Sequence, residues 1–311
     1  MPSSIFSFLQ LQVNCYVIPT IIILGDIGNI FIVILFNRRR KNSCSTYILW
    51  ASIMNSVAIT FNVIYTLYSV NYGDPTLRSL IFCKFRPYIP QVFSQTARYF
   101  FILACIDRFV LTINHSYFRV ISRPFVVRCL MGIVFIFWLI FLIHIIIGTT
   151  IKNGQCNQFG VYSFMYFLYL LIFVCLAPLI LKTIFGFLAY YNMNSLHRRV
   201  QPINNVAIHR QDRELFKLVL AEVIVYLITT LPYPAIIIEM AATNYMNITK
   251  SIERIEMEYF FLTSSFALIY LNCSTPFYTY FVVYKKFRKD FKTLLLHFSC
   301  QYIWQIDTTE S

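Results

Sequence analysis

Charge is what this sequence has least of. Only 13% of its 311 residues are Asp, Glu, Lys or Arg, where soluble globular chains carry about 25%. Hydrophobic residues make up 58%, and the mean hydropathy is +0.64. That balance excludes a water-soluble core. Acidic residues are scarcer than basic ones, 13 against 26, leaving a net charge of +13. The excess would suit nucleic acid in a soluble chain, but here it sits in short loops between apolar runs, so no nucleic-acid partner is expected. The nine cysteines include no CxxC pair and no Cys/His set with zinc spacing. Five scattered histidines complete no metal site, and no cofactor is expected. A Ser/His/Asp set and HExxH are both missing, which argues against an enzyme. No repeat, linker or low-complexity segment is present. The N-terminus lacks a basic region and a small-residue cleavage site, so the first apolar run reads as an uncleaved signal-anchor span.

What the chain does have is length in its apolar runs. A spanning helix needs about 20 mostly apolar residues. Seven stretches qualify, at about 12–36, 44–69, 79–112, 125–149, 161–190, 213–239 and 259–284. After the last come Phe287, Phe291 and Leu294 at helical spacing opposite lysines, a pattern for an amphipathic helix on the membrane surface over 285–297, or else a frayed polar tail. The expected fold is an all-α membrane protein: a seven-transmembrane helix bundle with a short C-terminal membrane-surface helix over residues 1–297, then a cytoplasmic tail, 298–311.

Orientation follows from Lys and Arg. Arg38-Arg39-Arg40-Lys41, then Arg119, Arg123 and Arg128, then Arg198, Arg199, Arg210 and Arg213, then the tail lysines fall in alternate loops. The positive-inside rule puts the N-terminus outside and the C-terminus in the cytoplasm, which suits the plasma membrane. Asn247-Ile248-Thr249 is then a glycosylation sequon on an outside loop, while the one at Asn114 lies inside.

The strongest motif is Asp107-Arg108-Phe109 at the inner end of the third span. A charged pair there can be simple snorkelling. Yet Cys83 opens the same span 25 residues before Arg108, enough helix to cross the bilayer, and Cys156 stands in the next outside loop. Both thiols face the oxidising side, so a disulfide is expected, against two free thiols.

In order, spacing and side, these motifs resemble the rhodopsin family of G-protein-coupled receptors from roughly residue 12 to 297. Gly28-Asn29 is similar to the family's first-span pair, and Asp107-Arg108-Phe109 to its Asp-Arg-Tyr triplet. Pro178 and Leu231-Pro232 match its fifth- and sixth-span prolines. The segment from Asn272 to Pro276 and Tyr280 resembles its seventh-span Asn-Pro-x-x-Tyr. The resemblance implies that Arg108 pairs with Asp107 and with Asp212, which lies 20 residues before Pro232, as a latch on the inactive state. Asp212 is equally suited to capping its helix. Departures mark a divergent member. Asn55 stands where the family has a sodium-holding Asp, Thr230 where it has Trp, Gly186 where it often has Tyr, and Pro276 falls one residue early.

Charges at membrane depth are costly and point to function. Asp26, Arg98, His144 and Glu222 lie there. Either Arg98 and Glu222 bond across the third and sixth spans, or each finds backbone carbonyls, polar side chains or water. The ligand is less specified. Pro90 occupies the place of the amine-binding Asp, and Tyr270 that of the retinal-binding Lys. Gln91, Tyr233, Glu239 and Tyr270 are the candidate ligand contacts. An outer rim with Glu239, Glu253, Glu256 and Glu258 suits a basic, amidated peptide, or is only a solvated rim. The seventh-span pattern is closest to FMRFamide-type neuropeptide receptors. The implied function is to pass an extracellular ligand, a peptide, to a heterotrimeric G protein inside. A transporter or channel using the intramembrane charges is the competing class, although no inverted repeat is visible. Cys300 is a lipidation candidate or a free thiol.

Overall fold

Backbone in hydrocarbon must bond to itself, which leaves helices as the way across for a chain with these apolar runs. The computed structural model describes residues 5–37, 42–73, 75–113, 118–152, 155–199, 220–246, 249–283, 285 and 287–296. Helix α1 is Ile5–Asn37, with a π turn at Val13–Val17. It begins earlier than the expected 12. Ile5, Phe6, Phe8, Leu9 and Leu11 extend the apolar series, and the Phe6 ring meets Phe260 at 6.0 Å. The helix therefore takes in residues ahead of the expected first run, from Ile5 on.

Asn42 starts α2, Ser43–Tyr72, by accepting the Cys44 N–H at 3.2 Å, and Gly73 ends it at φ 79°. After a single turn, Pro75–Arg78, α3 runs over Leu80–Thr112 and passes through Pro87 and Pro90. Helix α4, Pro124–Gly148, opens on a proline at its first position and hitches at Leu142. The loop beyond it is a hairpin, β1 Thr149–Lys152 against β2 Gln155–Gln158, with Ile151 opposite Cys156. Helix α5 covers 161–199 with a π stretch at Leu170–Leu176, and α6 covers 220–245 with a break at Leu231. Helix α7, Ile252–Ser274, is capped by Ser251 and meets α8, Pro276–Val283, at a 54° bend. A last helix, α9, covers 287–296.

Helices α1, α2, α4, α5 and α6 contain segments long and apolar enough to cross a bilayer, and α7 with α8 makes a sixth if the bent pair is one span. The chain is thus a helical membrane protein. Its large apolar side chains face outward in stripes. On α4, Ile133, Ile136 and Ile140 are each more than half exposed at helical spacing. Helix α3 is not apolar enough to be counted with the others, because Gln91, Ser94, Gln95, Thr96 and Arg98 interrupt its middle. Most of its polar groups are on its inner face: Gln95, Thr96, Arg98, Asp107 and Arg108 are buried, and Gln91 and Ser94 are half-buried. It packs against α2, α4 and α5.

Two apolar clusters fill most of the interior. Toward the Asp107 end, Ile32, Phe36, Tyr47, Phe100, Tyr280, Phe287 and Leu294 join α1, α2, α3, α8 and α9. Toward the disulfide end, Trp138, Leu142, Tyr169, Leu170 and Tyr233 join α4, α5 and α6. The close fit of α1 on the last spans depends on glycine. A Cβ on Gly25 would strike Ser274, and one on Gly28 would come within 2.9 Å of Phe277 Cβ.

Candidate functional site

The buried polar groups form three groups along α3. At its Thr112 end, Asp107 accepts from Ser43 Oγ at 2.6 Å and Ser122 Oγ at 2.7 Å. Its other oxygen pairs with Arg108 Nη2 at 3.0 Å. Arg108 Nη2 also donates to Asn42 Oδ1 at 2.7 Å. One carboxamide oxygen thus caps α2 and holds the arginine, joining α2, α3 and the 118–122 turn at a single knot. The local sequence explains the geometry. A helix start needs Asn or Ser at its cap, and Asn42-Ser43 puts two short polar side chains where α3 ends. The Asp107 half of the expected latch is in place, while Asp212 lies outside the described residues.

One turn further in, Lys182 on α5, Glu222 on α6 and Tyr280 on α8 line a small cavity closed by Ile48, Phe101, Ala104, Cys105 and Val223. All three are buried. The Lys182 ammonium sits 4.1 Å from the Tyr226 ring centre and 5.4 Å from that of Phe101, both within cation–π range. Glu222 and Lys182 attract each other across this space. Glu222 Oε1 and the Tyr280 hydroxyl have no hydrogen-bond partner among the described residues.

Nearer mid-bundle, Arg98 Nη1 donates to Gln95 Oε1 at 3.1 Å, and Gln95 Nε2 donates to the Tyr169 hydroxyl at 2.9 Å. Tyr169 reaches Gln91 Oε1 at 3.5 Å, the limit of a hydrogen bond. Of the two readings of Arg98 and Glu222, a mutual bond or separate polar partners, Arg98 takes the second. Arg98 turns to its own helix neighbour Gln95, three residues back and so on the same face, and Glu222 faces Lys182 instead.

The other expected residues are spread around this axis. Asn29 Nδ2 donates to the Cys273 carbonyl at 3.2 Å, and Asn272 Nδ2 to Thr229 Oγ1 at 2.9 Å. Asn55 is buried on α2. Pro232 opens the second half of α6 just past its break. Asp26 accepts from Thr60 at 2.9 Å, and His144 Nδ1 bonds the Tyr162 hydroxyl at 2.8 Å. Cys83 and Cys156 form a disulfide, with Cα atoms 5.7 Å apart, fastening β2 to the start of α3.

Of the four candidate ligand contacts, Gln91 and Tyr233 come together around Tyr169, but Tyr270 belongs to a separate cluster with Ile18, Ile59 and Cys273. Glu239 is in an ion pair with Arg254 at 3.0 Å. Buried Glu258 is held by Lys250 at 2.6 Å and Arg254 at 3.5 Å. Two of the four rim acids, Glu239 and Glu258, are thus already paired with cations, Arg254 on α7 and Lys250 just ahead of it. Asn247 and Cys300 lie outside the described residues.

Sequence reasoning missed Lys182, Asn42, Ser43 and Ser122. Lys182 had a signal: it is the one charge inside the fifth apolar run, four residues after Pro178. The others had none, since short polar residues at helix ends are common.

No protein-family model matches this chain, and no curated protein is similar to it.

Proposed function

We propose that the chain is a seven-span receptor of the plasma membrane, similar to the rhodopsin family, that couples an extracellular ligand to a heterotrimeric G protein. The observation that carries this reading is the buried Asp107–Arg108 knot at one end of α3 with the Cys83–Cys156 disulfide at the other. Helix α3, with 33 residues, is about 50 Å long, more than a bilayer thickness. The disulfide also bears on the span count. Helix α4 crosses by its apolarity, and Cys156 lies just beyond it. A bond from there back to Cys83 favours counting α3 as a span as well, the seventh where α7 with α8 is one span. Lys and Arg bias then puts the disulfide outside and Asp107 in the cytoplasm.

Ligand binding would act on α6, whose Leu231 break lies beside the Asn272–Thr229 bond to α7. A ligand that prefers one setting of that break would shift the balance at Arg108. A peptide remains the proposed ligand class. The test is a peptide-library screen on cells reporting cAMP and calcium, with Arg108→Ala as control. A response lost in Arg108→Ala is expected, and one untouched by it sinks the coupling role. Buried Arg98, Lys182 and Glu222 favour a second reading, a transporter or channel. Substrate flux in cells without G protein would select it.

A further inference from the structure

We propose that the cavity between Lys182, Glu222 and Tyr280 is a binding site for one water molecule, which bridges the three side chains and ties α5, α6 and α8 together. The site is a built one. Its three polar members come from three helices, each is at least nine-tenths buried, and all face the same small space.

Two atoms there have no partner among the described residues, Glu222 Oε1 and the Tyr280 hydroxyl. A buried carboxylate oxygen with nothing to accept is strongly unfavourable. The remaining wall cannot relieve it. Ile48, Phe101, Ala104 and Val223 are apolar, and Cys105 offers only a weak thiol donor. Lys182 attracts Glu222, but its ammonium is drawn to the Tyr226 and Phe101 rings.

The chemistry of the wall selects the occupant. A metal cation is repelled by Lys182, and by Arg98, which already repels Lys182 from α3. An anion is repelled by Glu222. A neutral molecule with both donors and acceptors fits both charges. The space holds about one water, and a buried water needs two to four polar partners. One water accepts from the Lys182 ammonium, donates to Glu222 Oε1 and accepts from the Tyr280 hydroxyl. Every orphaned atom is then satisfied with one hydrogen of the water to spare.

The test is thermal unfolding of the full chain in lipid nanodiscs. Tyr280→Phe removes one hydroxyl and little volume. It should lower the melting temperature by about 2–4 °C in the unaltered chain, and leave it unchanged in a Lys182→Met/Glu222→Leu background, where the bridge has no charged ends. Ala104→Val, which pushes methyl groups into the cavity, should destabilise the unaltered chain and stabilise that double variant. A neutral Tyr280→Phe, or the same sign for Ala104→Val in both backgrounds, overturns the proposal. Should the double variant fail to reach the membrane, a high-resolution electron cryomicroscopy map of the unaltered chain decides. Density within hydrogen-bond distance of all three groups is expected. A direct Lys182–Glu222 contact with no density between them contradicts the bridge.

Discussion

A charged side chain inside this bundle is defined by its second partner more than by its first. Asp107 has Arg108 beside it in the chain, but Ser43 and Ser122 bring it two further donors from other segments. Each is a hydrogen bond to a buried charge, a class worth about 1.5–3 kcal/mol. Ser43→Ala and Ser122→Ala are each expected to lower the unfolding midpoint in nanodiscs, with losses of that order. Two neutral variants would show that Arg108 alone holds the carboxylate. The Arg98 chain gives a graded comparison. Gln95 makes bonds of 3.1 and 2.9 Å, whereas Gln91 stands at 3.5 Å from Tyr169. Gln95→Leu should therefore cost clearly more stability than Gln91→Leu, and equal losses would contradict that ranking. The burial of Arg98 and Glu222 was legible from their place within long helices. Their partners were not, because a single sequence does not state how far neighbouring helices are rotated, and that rotation turned Glu222 to Lys182.

Helices α1 and α7–α8 illustrate how an element is held when lipid supplies no hydrophobic drive between helices. Association then depends on close packing by small residues and on polar bonds between helices. Gly25 lies against Ser274, whose hydroxyl donates to the Ile21 carbonyl at 3.1 Å, and Asn29 bonds the Cys273 carbonyl. Gly25→Val should block this seam and sharply reduce the monodisperse fraction on size exclusion. Gly132→Val is the matched control, since nothing approaches Gly132 within 4 Å. Loss with both variants would mean that valine in any helix is harmful here. Helix α9 is held differently, by Phe287 and Leu294 in the core and by the Phe291 ring 5.1 Å from Phe31. Phe287→Ala should cost about 3–5 kcal/mol, the usual range for such a truncation, and a loss below 1 kcal/mol would place the helix outside the cooperative fold. The 3.6-residue period made α9 visible in the sequence. The hairpin Thr149–Gln158 was not visible, because eight strand residues around a cysteine carry no period of their own.

Across the whole molecule, the apolar runs read from the sequence correspond to the long helices, since about 20 apolar residues have one stable answer in a bilayer. The helix least marked by hydropathy, α3, packs against α2, α4 and α5, and its polar middle is legible only as burial. The seven-span reading has a parity consequence. A sequon placed ahead of α1 should be glycosylated while one placed after residue 297 is not. Modification of both, or of neither, would put the two ends on one side and contradict an odd number of spans. The Arg108 knot gives the functional consequence. If Asp107 restrains Arg108, then Asp107→Asn weakens the restraint without disturbing shape. The most direct measurement is guanine-nucleotide exchange by purified heterotrimeric G proteins, one from each class, on membranes containing the chain or its Asp107→Asn variant. Faster ligand-independent exchange in the variant for at least one class is the predicted result. No exchange above empty membranes for any class, from either form, would contradict a G-protein-coupled receptor.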